Sequence, residues 1–345
     1  MSPGSLHGPF GKRGVRAPTA LEAARFDRFA IRERGVPEPA LMENAGRQAA
    51  LLIQRLFPHG KVTALVGSGN NGGDALVCMR ALAAWGRPVE AVVVGRRPDA
   101  DPVLHGWRLP AVRFDSRAAE DRSMKGLFDG VGVVVDGLLG TGIRGAPRAQ
   151  YAAAIEAANA AEAPVVALDT PSGVNGATGD VAGSAVRAEL TVAFGWPKLG
   201  TLVYPGRAFC GRIVAVEIGF PPGGEEQEGW ARLVTAGWAA RNMPRRDPAA
   251  HKNAVGALTI VAGTDMPGAA VLSARSAFRA GAGLVRVCAA RQAGAVIGEV
   301  PEAIFADAGD PGALREAVEA CDAVAIGPGL GHGRAAAQQL DAVFA

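Results

Sequence analysis

The chain has 345 residues, of which 49% are hydrophobic and 20% charged, with a formal net charge of +3. That length exceeds one ordinary domain, so two are expected, and the scattered basic residues of a near-neutral chain give no support for a nucleic-acid partner. Cys78, Cys210, Cys288 and Cys321 form no CxxC pair, the histidines never fall at HxxxH spacing, and no apolar run is long enough to span a membrane.

Residues 1–16 contain Gly, Pro and Arg without an apolar h-region. They read as a short mobile tail, not a secretory signal, and a cytoplasmic protein is expected. Thr19 and Glu22 have the spacing of a capping box, which predicts a helix through about residue 34. An Ala-rich helix follows over about 39–56. The pattern then alternates. Short β-branched runs at 62–66, 89–94, 131–136, 165–169, 190–194 and 213–216 predict strands, with helical stretches at 75–85 and 148–161 between them. Strands apolar on both faces and separated by helices predict a mostly parallel, three-layer α/β/α sheet.

Pro, Gly and Glu accumulate near 221–227, so a linker is expected over 223–248, after a first domain at 17–222. Beyond it the rhythm restarts over 249–345, with strands at 257–262, 284–289 and 323–326 and helices at 269–280 and 335–345. This unit reads as incomplete, since its sheet is not visibly finished.

Ligands of an open parallel sheet bind beyond the carboxyl ends of its strands. Three loops there carry polar groups: GSGNNGGD at 67–74, DGLLGTG at 136–142 and DTPSG at 169–173. Gly67, Gly69 and Gly72 fit GxGxxG, which by itself is a weak dinucleotide signal. On that reading Arg96 and Arg97 would meet a 2′-phosphate, and the protein would be an NADP-dependent oxidoreductase. Against it, Asn70 and Asn71 add carboxamides that a phosphate turn does not need, and Asp74 brings negative charge to a helix N-terminus. Asn71, Asp136 and Ser172 offer hard oxygen ligands of mixed charge, suited to K⁺ or Mg²⁺; one carboxylate among three favours the monovalent ion. The plainer alternative makes Asp136 a helix cap. Asp169, at a strand end beside a Pro-constrained turn, suits acid/base work, or simply stabilises the turn.

Together with LMENAG at 41–46, these loops resemble the signatures of NAD(P)H-hydrate epimerases, in that family's order over roughly 18–222. The resemblance implies a Rossmann-like domain. It implies that Asn70, Asn71, Gly72, Gly73, Asp74, Gly140, Thr141, Gly142, Ile143, Arg144, Gly145 and Ala146 contact a hydrated nicotinamide nucleotide and that Asp169 binds it too; as the carboxylate suited to acid/base work, Asp169 is the expected catalytic group. Asn71, Asp136 and Ser172 would hold K⁺. Ala75 stands where the family usually has Gly, Gly137 where Ala is usual, and Leu139 replaces a common Phe.

The second unit, through HKNAVG at 251–256, Gly268-Ala-Ala, RAGAGLV at 279–285 and GPGLG at 327–331, resembles the first part of a ribokinase-like, ADP/ATP-dependent NAD(P)H-hydrate dehydratase. Ala269 and Gly329 would line its substrate side. The family's later elements are missing from the sequence, so dehydration by this chain alone is not expected, and ADP or ATP would serve only a complete domain. The expected substrate is NADH or NADPH hydrated at C6 of the nicotinamide ring, with R and S hydroxyl configurations interconverted. A homo-oligomer is compatible with the resemblance. A non-catalytic nucleotide-binding protein is the remaining alternative; the joint presence of Asn71, Asp136, Asp169 and Ser172 weighs against it.

Overall fold

A computed structural model of the chain describes residues 15–98, 101–114, 127–223, 229–263 and 265–344. Contacts divide it into a first unit, Met1–Asn242, and a second, Met243–Ala345.

In the first unit, α1 (Ala20–Arg32) opens on the expected capping box. The Glu22 amide donates to Thr19 Oγ1 at 3.3 Å, and the Thr19 amide donates to Glu22 Oε2 at 2.7 Å. Along α2 (Glu38–Leu56), Leu41, Ala45, Ala49 and Ile53 recur at helical spacing and are buried. The sheet strands are β2 (Lys61–Val66), β3 (Val89–Val93), β4 (Ala111–Arg113), β5 (Val131–Gly137), β6 (Val165–Leu168), β7 (Leu190–Phe194) and β8 (Arg212–Val216). They form one parallel sheet in the order β4-β3-β2-β5-β6-β7-β8.

Both faces of this sheet are covered, which is why its strands read as continuous apolar runs. Ala64, Val66, Val133, Val135, Val166 and Leu168 pack with α2 and with α3 (Asn70–Ala84). Leu65, Val92, Val134 and Val165 pack on the other side with Tyr151, Ala154, Ile155 and Ala158 of the helix Ala149–Asn159. Successive residues pointing to opposite layers produce the three-layer α/β/α arrangement. The chain winds outward one way from β2 and the other way from β5, so a crevice opens beyond the carboxyl ends of these two neighbours.

An aromatic cluster closes one flank. Phe26 of α1 stands 5.1 Å from Trp196 and 5.9 Å from Trp230, centroid to centroid, both edge-on. Two short strands, β1 (Val15–Ala17) and β9 (Ala231–Leu233), pair antiparallel beside it. Trp230 and β9 lie inside the segment 223–248 expected as a linker, yet they pack on the first unit, which continues through the helix Ala236–Asn242. Of the expected tail, Val15 and Arg16 belong to β1, while residues 1–14 lie outside the described residues.

The second unit holds a parallel sheet of β10 (Ala257–Val261), β11 (Leu284–Ala289), β12 (Ile304–Asp307) and β13 (Ala323–Ile326), in the order β12-β11-β10-β13. β12 was not anticipated; its pattern, Ile-Phe-Ala-Asp, is short and leaves Ile304 and Phe305 exposed. Among the described residues, no helix is long and apolar enough to cross a membrane.

Replacing Phe26 by Ala removes the ring shared by Trp196, Phe220 and Trp230. Equilibrium urea unfolding of the variant is expected to show a loss of about 3–5 kcal/mol.

Candidate active site

A cavity of about 680 Å³ lies at the carboxyl edge of the large sheet. Its walls come from α1, the start of α2, the first turns of α3, and the loops after β5, β6 and β7. Of the residues expected to touch substrate, Asn70, Asn71, Asp74, Gly140, Thr141, Gly142, Ile143 and Asp169 line it. Gly72 and Gly73 are buried beneath that surface: an added Cβ would stand 2.0 Å from the Gly67 oxygen in one case and 2.7 Å from Met42 Sδ in the other. Arg144, Gly145 and Ala146 continue the loop after β5 as exposed residues. Ala269 and Gly329 belong to the second unit, where both approach Met266. The Ala269 amide donates to the Met266 oxygen at 3.0 Å, and a Cβ on Gly329 (φ 66°) would stand 2.5 Å from that same oxygen.

The segment 67–74 is less of a loop than its sequence suggests. Gly69 caps α3, and Asn70 to Asp74 already form its first turns. Asp74 is therefore inside the helix and faces the cavity; it does not cap it. The glycines permit close approach of backbones. A Cβ on Gly67 would meet the Leu138 oxygen at 1.8 Å, so the loops after β2 and β5 touch main chain to main chain.

Asp136 is the penultimate residue of β5 and is fully buried. Ser172 Oγ donates to its Oδ1 at 2.6 Å, and the Ser172 amide to its Oδ2 at 2.8 Å. The Leu138 amide donates to Oδ1 at 3.2 Å. Burial pushes the Asp136 carboxyl up to about 6, and the Ser172 and Leu138 hydrogen bonds restrain that rise. Asp136 is thus a clasp between two loops, not a helix cap. Asn71 Nδ2 donates to the Leu139 oxygen at 3.0 Å, and Ser172 Oγ accepts the Leu139 amide at 2.9 Å, so the three expected cation ligands share one neighbourhood. Asn71 is 7% exposed, and its Oδ1 has no hydrogen-bond partner among the described residues. A buried oxygen without a donor is costly, and a cation would satisfy it. A carboxamide, a hydroxyl and one carboxylate fit a monovalent ion.

Asp169 follows β6 directly and adopts φ 65°, a left-handed conformation rare outside glycine and typical of functional positions. Its Oδ1 accepts the Phe194 amide at 3.2 Å and forms an ion pair with Lys198 Nζ. Lys198 is 4% exposed and also donates to the Phe194 oxygen at 2.9 Å. Lys198 was not anticipated. The signal was present, because Phe194-Gly-Trp-Pro-Lys198 is itself a loop after a strand of the same sheet. Asp27, on α1, was also missed: nothing in a helical pattern of alternating charge separates it from a solvated face.

Asp27, Asp74 and Asp169 surround the single ammonium of Lys198. Burial raises the Asp27 carboxyl to about 6; Lys198 opposes the rise and Asp169 adds to it. Burial likewise holds the Asp74 carboxyl well above the usual range, reinforced by Asp169 and Asp27.

Arg97 is engaged by protein oxygens. Its Nε donates to Asp101 Oδ2 at 2.7 Å, and one terminal nitrogen donates to the Gly67 and Gly69 oxygens at 3.0 and 3.1 Å. It buttresses the glycine turn, so of the two arginines on which the oxidoreductase reading relied Arg97 is engaged within the protein, while Arg96 is exposed.

Comparison with known proteins adds the following. A family model described as "YjeF-related protein N-terminus" matches residues 38–200, and one described as "NAD(P)H-hydrate dehydratase" matches residues 258–345. A bifunctional NAD(P)H-hydrate repair enzyme of Moorella thermoacetica is 34% identical over 339 residues, covering 90% of this chain and 63% of the relative. An NAD(P)H-hydrate epimerase of Rhodopirellula baltica is 37% identical over 205 residues, covering 59% of this chain and 84% of the relative. A yeast protein of known structure, 21% identical, aligns with a TM-score of 0.51 over 64% of this chain and 100% of its own, a likeness of fold. The chain spans about 63% of the length of the bifunctional Moorella relative. Nothing in these matches supports the expectation that the second unit lacks a dehydratase site.

The raised Asp27 carboxyl carries a stability signature. Its folded value, about 6, lies above the ordinary 3.8, so the folded state binds more protons between these values. Stability is therefore lost as pH rises through that window and stays lost above it. Asp27→Asn is expected to match wild type near pH 4 and to exceed it by about 1–3 kcal/mol at pH 7, read by urea unfolding at each pH.

Proposed function

This chain belongs to the NAD(P)H-hydrate epimerase family, and on that premise we propose that its first unit interconverts the R and S epimers of hydrated NADH and NADPH. The observation that carries the reading is the Asp169–Lys198 pair, held at the floor of a cavity that also gathers Asn71, Asp74 and the 140–143 loop.

The chemistry needs no electron transfer. The C6 hydroxyl leaves as water once protonated, and the ring nitrogen's lone pair supports the resulting cation. Carboxyls of Asp27, Glu38, Asp74 and Asp169 line the cavity beside Lys198, Arg28 and Arg32, and a carboxylate held near the ring is suited to stabilise that cation. Asp169, with Oδ1 engaged, presents Oδ2 to the reacting ring, and Lys198 fixes its orientation. Backbone N–H groups at the start of α3 and in the 140–146 loop take the pyrophosphate and ribose. Asn71, Asp136 and Ser172 would hold K⁺, whose charge would tie the loops together and favour the anionic nucleotide.

For the second unit we propose ADP- or ATP-dependent dehydration of the S epimer to NADH or NADPH as an activity of the whole protein. Ala269 and Gly329 then lie on its substrate side.

The test is chiral-resolved chromatography of R-NADHX with this chain in K⁺ buffer, with an ADP arm for the dehydration. The S form is expected to appear, at a rate at least 100-fold lower in Asp169→Ala. A wild-type rate in that variant would remove Asp169 from the site. Exchanging K⁺ for choline is expected to slow the reaction; an unchanged rate would dismiss the cation.

A further inference from the structure

Epimerisation at a ring carbon sends the hydroxyl away from one face and brings water to the other. A single carboxylate fixed to one loop cannot serve both faces of a planar ring, so a second proton-handling group has to reach the same carbon. We propose that Asp27, on α1, is this second acid/base group, working with Asp169 in the epimerisation inferred above, on which the assignment rests.

Three observations place it there. Asp27 lines the same cavity as Asp169, Lys198 and Asp74, and Ala23, Ala24, Arg28 and Ile31 line it with Asp27, so this face of α1 is a cavity wall. The Asp27 carboxyl makes no hydrogen bond or ion pair with any described residue, so it is available to a ligand; Asp169 Oδ1, in contrast, is committed to Lys198 and the Phe194 amide. The buried, partnerless Asn71 Oδ1 independently marks this cavity as a ligand site.

The charges around Asp27 favour a group that holds and releases a proton. Lys198 from the loop after β7 favours its ionised form, as does Arg28 on α1; Asp169 after β6 and Glu38 on α2 oppose it, and burial opposes it most, while the Asp74 carboxyl on α3 faces the same cavity. The result, about 6, is close to a neutral operating pH, where acid/base groups are most effective.

In one direction the Asp27 carboxyl gives its proton to the C6 hydroxyl. The C–O bond breaks with its electron pair leaving in water, and the nitrogen lone pair forms the N1=C6 double bond. Water then adds to C6 on the other face and gives a proton to Asp169. Solvent returns one proton to Asp27 and removes one from Asp169. In the reverse direction the two groups exchange roles.

Wild type, Asp27→Asn and Asp27→Glu are incubated with each pure epimer in ¹⁸O-water with K⁺. The products are separated by chiral chromatography and weighed by mass spectrometry. Asp27→Asn is expected to slow inversion 100-fold or more from either epimer, while ¹⁸O still enters one epimer with its configuration kept, because Asp169 continues to serve one face. Asp27→Glu is expected to recover part of the inversion and to move the limb of the pH–rate profile that Asp27 sets, the alkaline limb in the direction where it gives its proton and the acid limb in the reverse. Inversion at the wild-type rate in Asp27→Asn overturns the assignment, as does equal loss of exchange and inversion from both epimers. If Asp27→Asn does not fold, an unmoved limb in Asp27→Glu overturns it. A wild type that neither inverts nor exchanges overturns the epimerase reading itself, and Asp27 with it.

Discussion

The site depends on one buried carboxylate. Asp136 holds the Ser172 hydroxyl and amide together with the Leu138 amide, and it does so with no exposure to solvent. This clasp joins the loop after β5 to the loop after β6. The other approaches follow from it. Ser172 contacts both the amide and the carbonyl of Leu139, Leu139 accepts from Asn71, and Gly67 lies against the Leu138 main chain. A side chain at Gly67 would keep the first loop from meeting the second. Three loops distant in sequence are thereby fixed around one crevice, which the reversal of strand order between β2 and β5 opens.

The arrangement works against stability. Asp27, Asp74 and Asp136 are each driven toward the protonated form by burial, and Lys198 is shared by Asp27, Asp74 and Asp169. A site selected for stability alone would not collect these groups. Asp169 adds a left-handed backbone. Cost of this kind, concentrated beside a cavity, is characteristic of a place where charge develops during chemistry. The apolar sheet and its two helical layers offset it.

Much of this was legible in the sequence, for physical reasons. Strands buried on both faces appear as unbroken apolar runs, so β2, β5 and β7 were found within a residue or so of their ends. The capping box at Thr19 marked α1, and the rule that ligands gather at the carboxyl ends of strands found three loops. The rest was hidden by the same physics. Asn70 and Asn71 read as loop residues because carboxamides and glycines weaken helix propensity, yet packing under α2 draws them into α3. Lys198 sat in a fourth loop of the same edge, behind an aromatic and a proline. Asp27 looks like any charged residue on an amphipathic helix until tertiary structure turns that face onto the cavity. Trp230 and β9 lay in a segment whose composition suggests a linker; only the pairing with Val15–Ala17 and the contact with Phe26 show where they belong.

The most direct test of the account is approach to equilibrium from both sides. Pure R-NADHX and pure S-NADHX are each incubated with this chain in K⁺ buffer without nucleotide, and the epimer ratio is followed by chiral chromatography alongside the absorbance of the reduced ring. The account predicts that both samples converge on one common ratio, far faster than enzyme-free blanks, with no net change in oxidation state. Persistence of each epimer at the blank rate, or a change in absorbance coupled to a hydride acceptor, would contradict it.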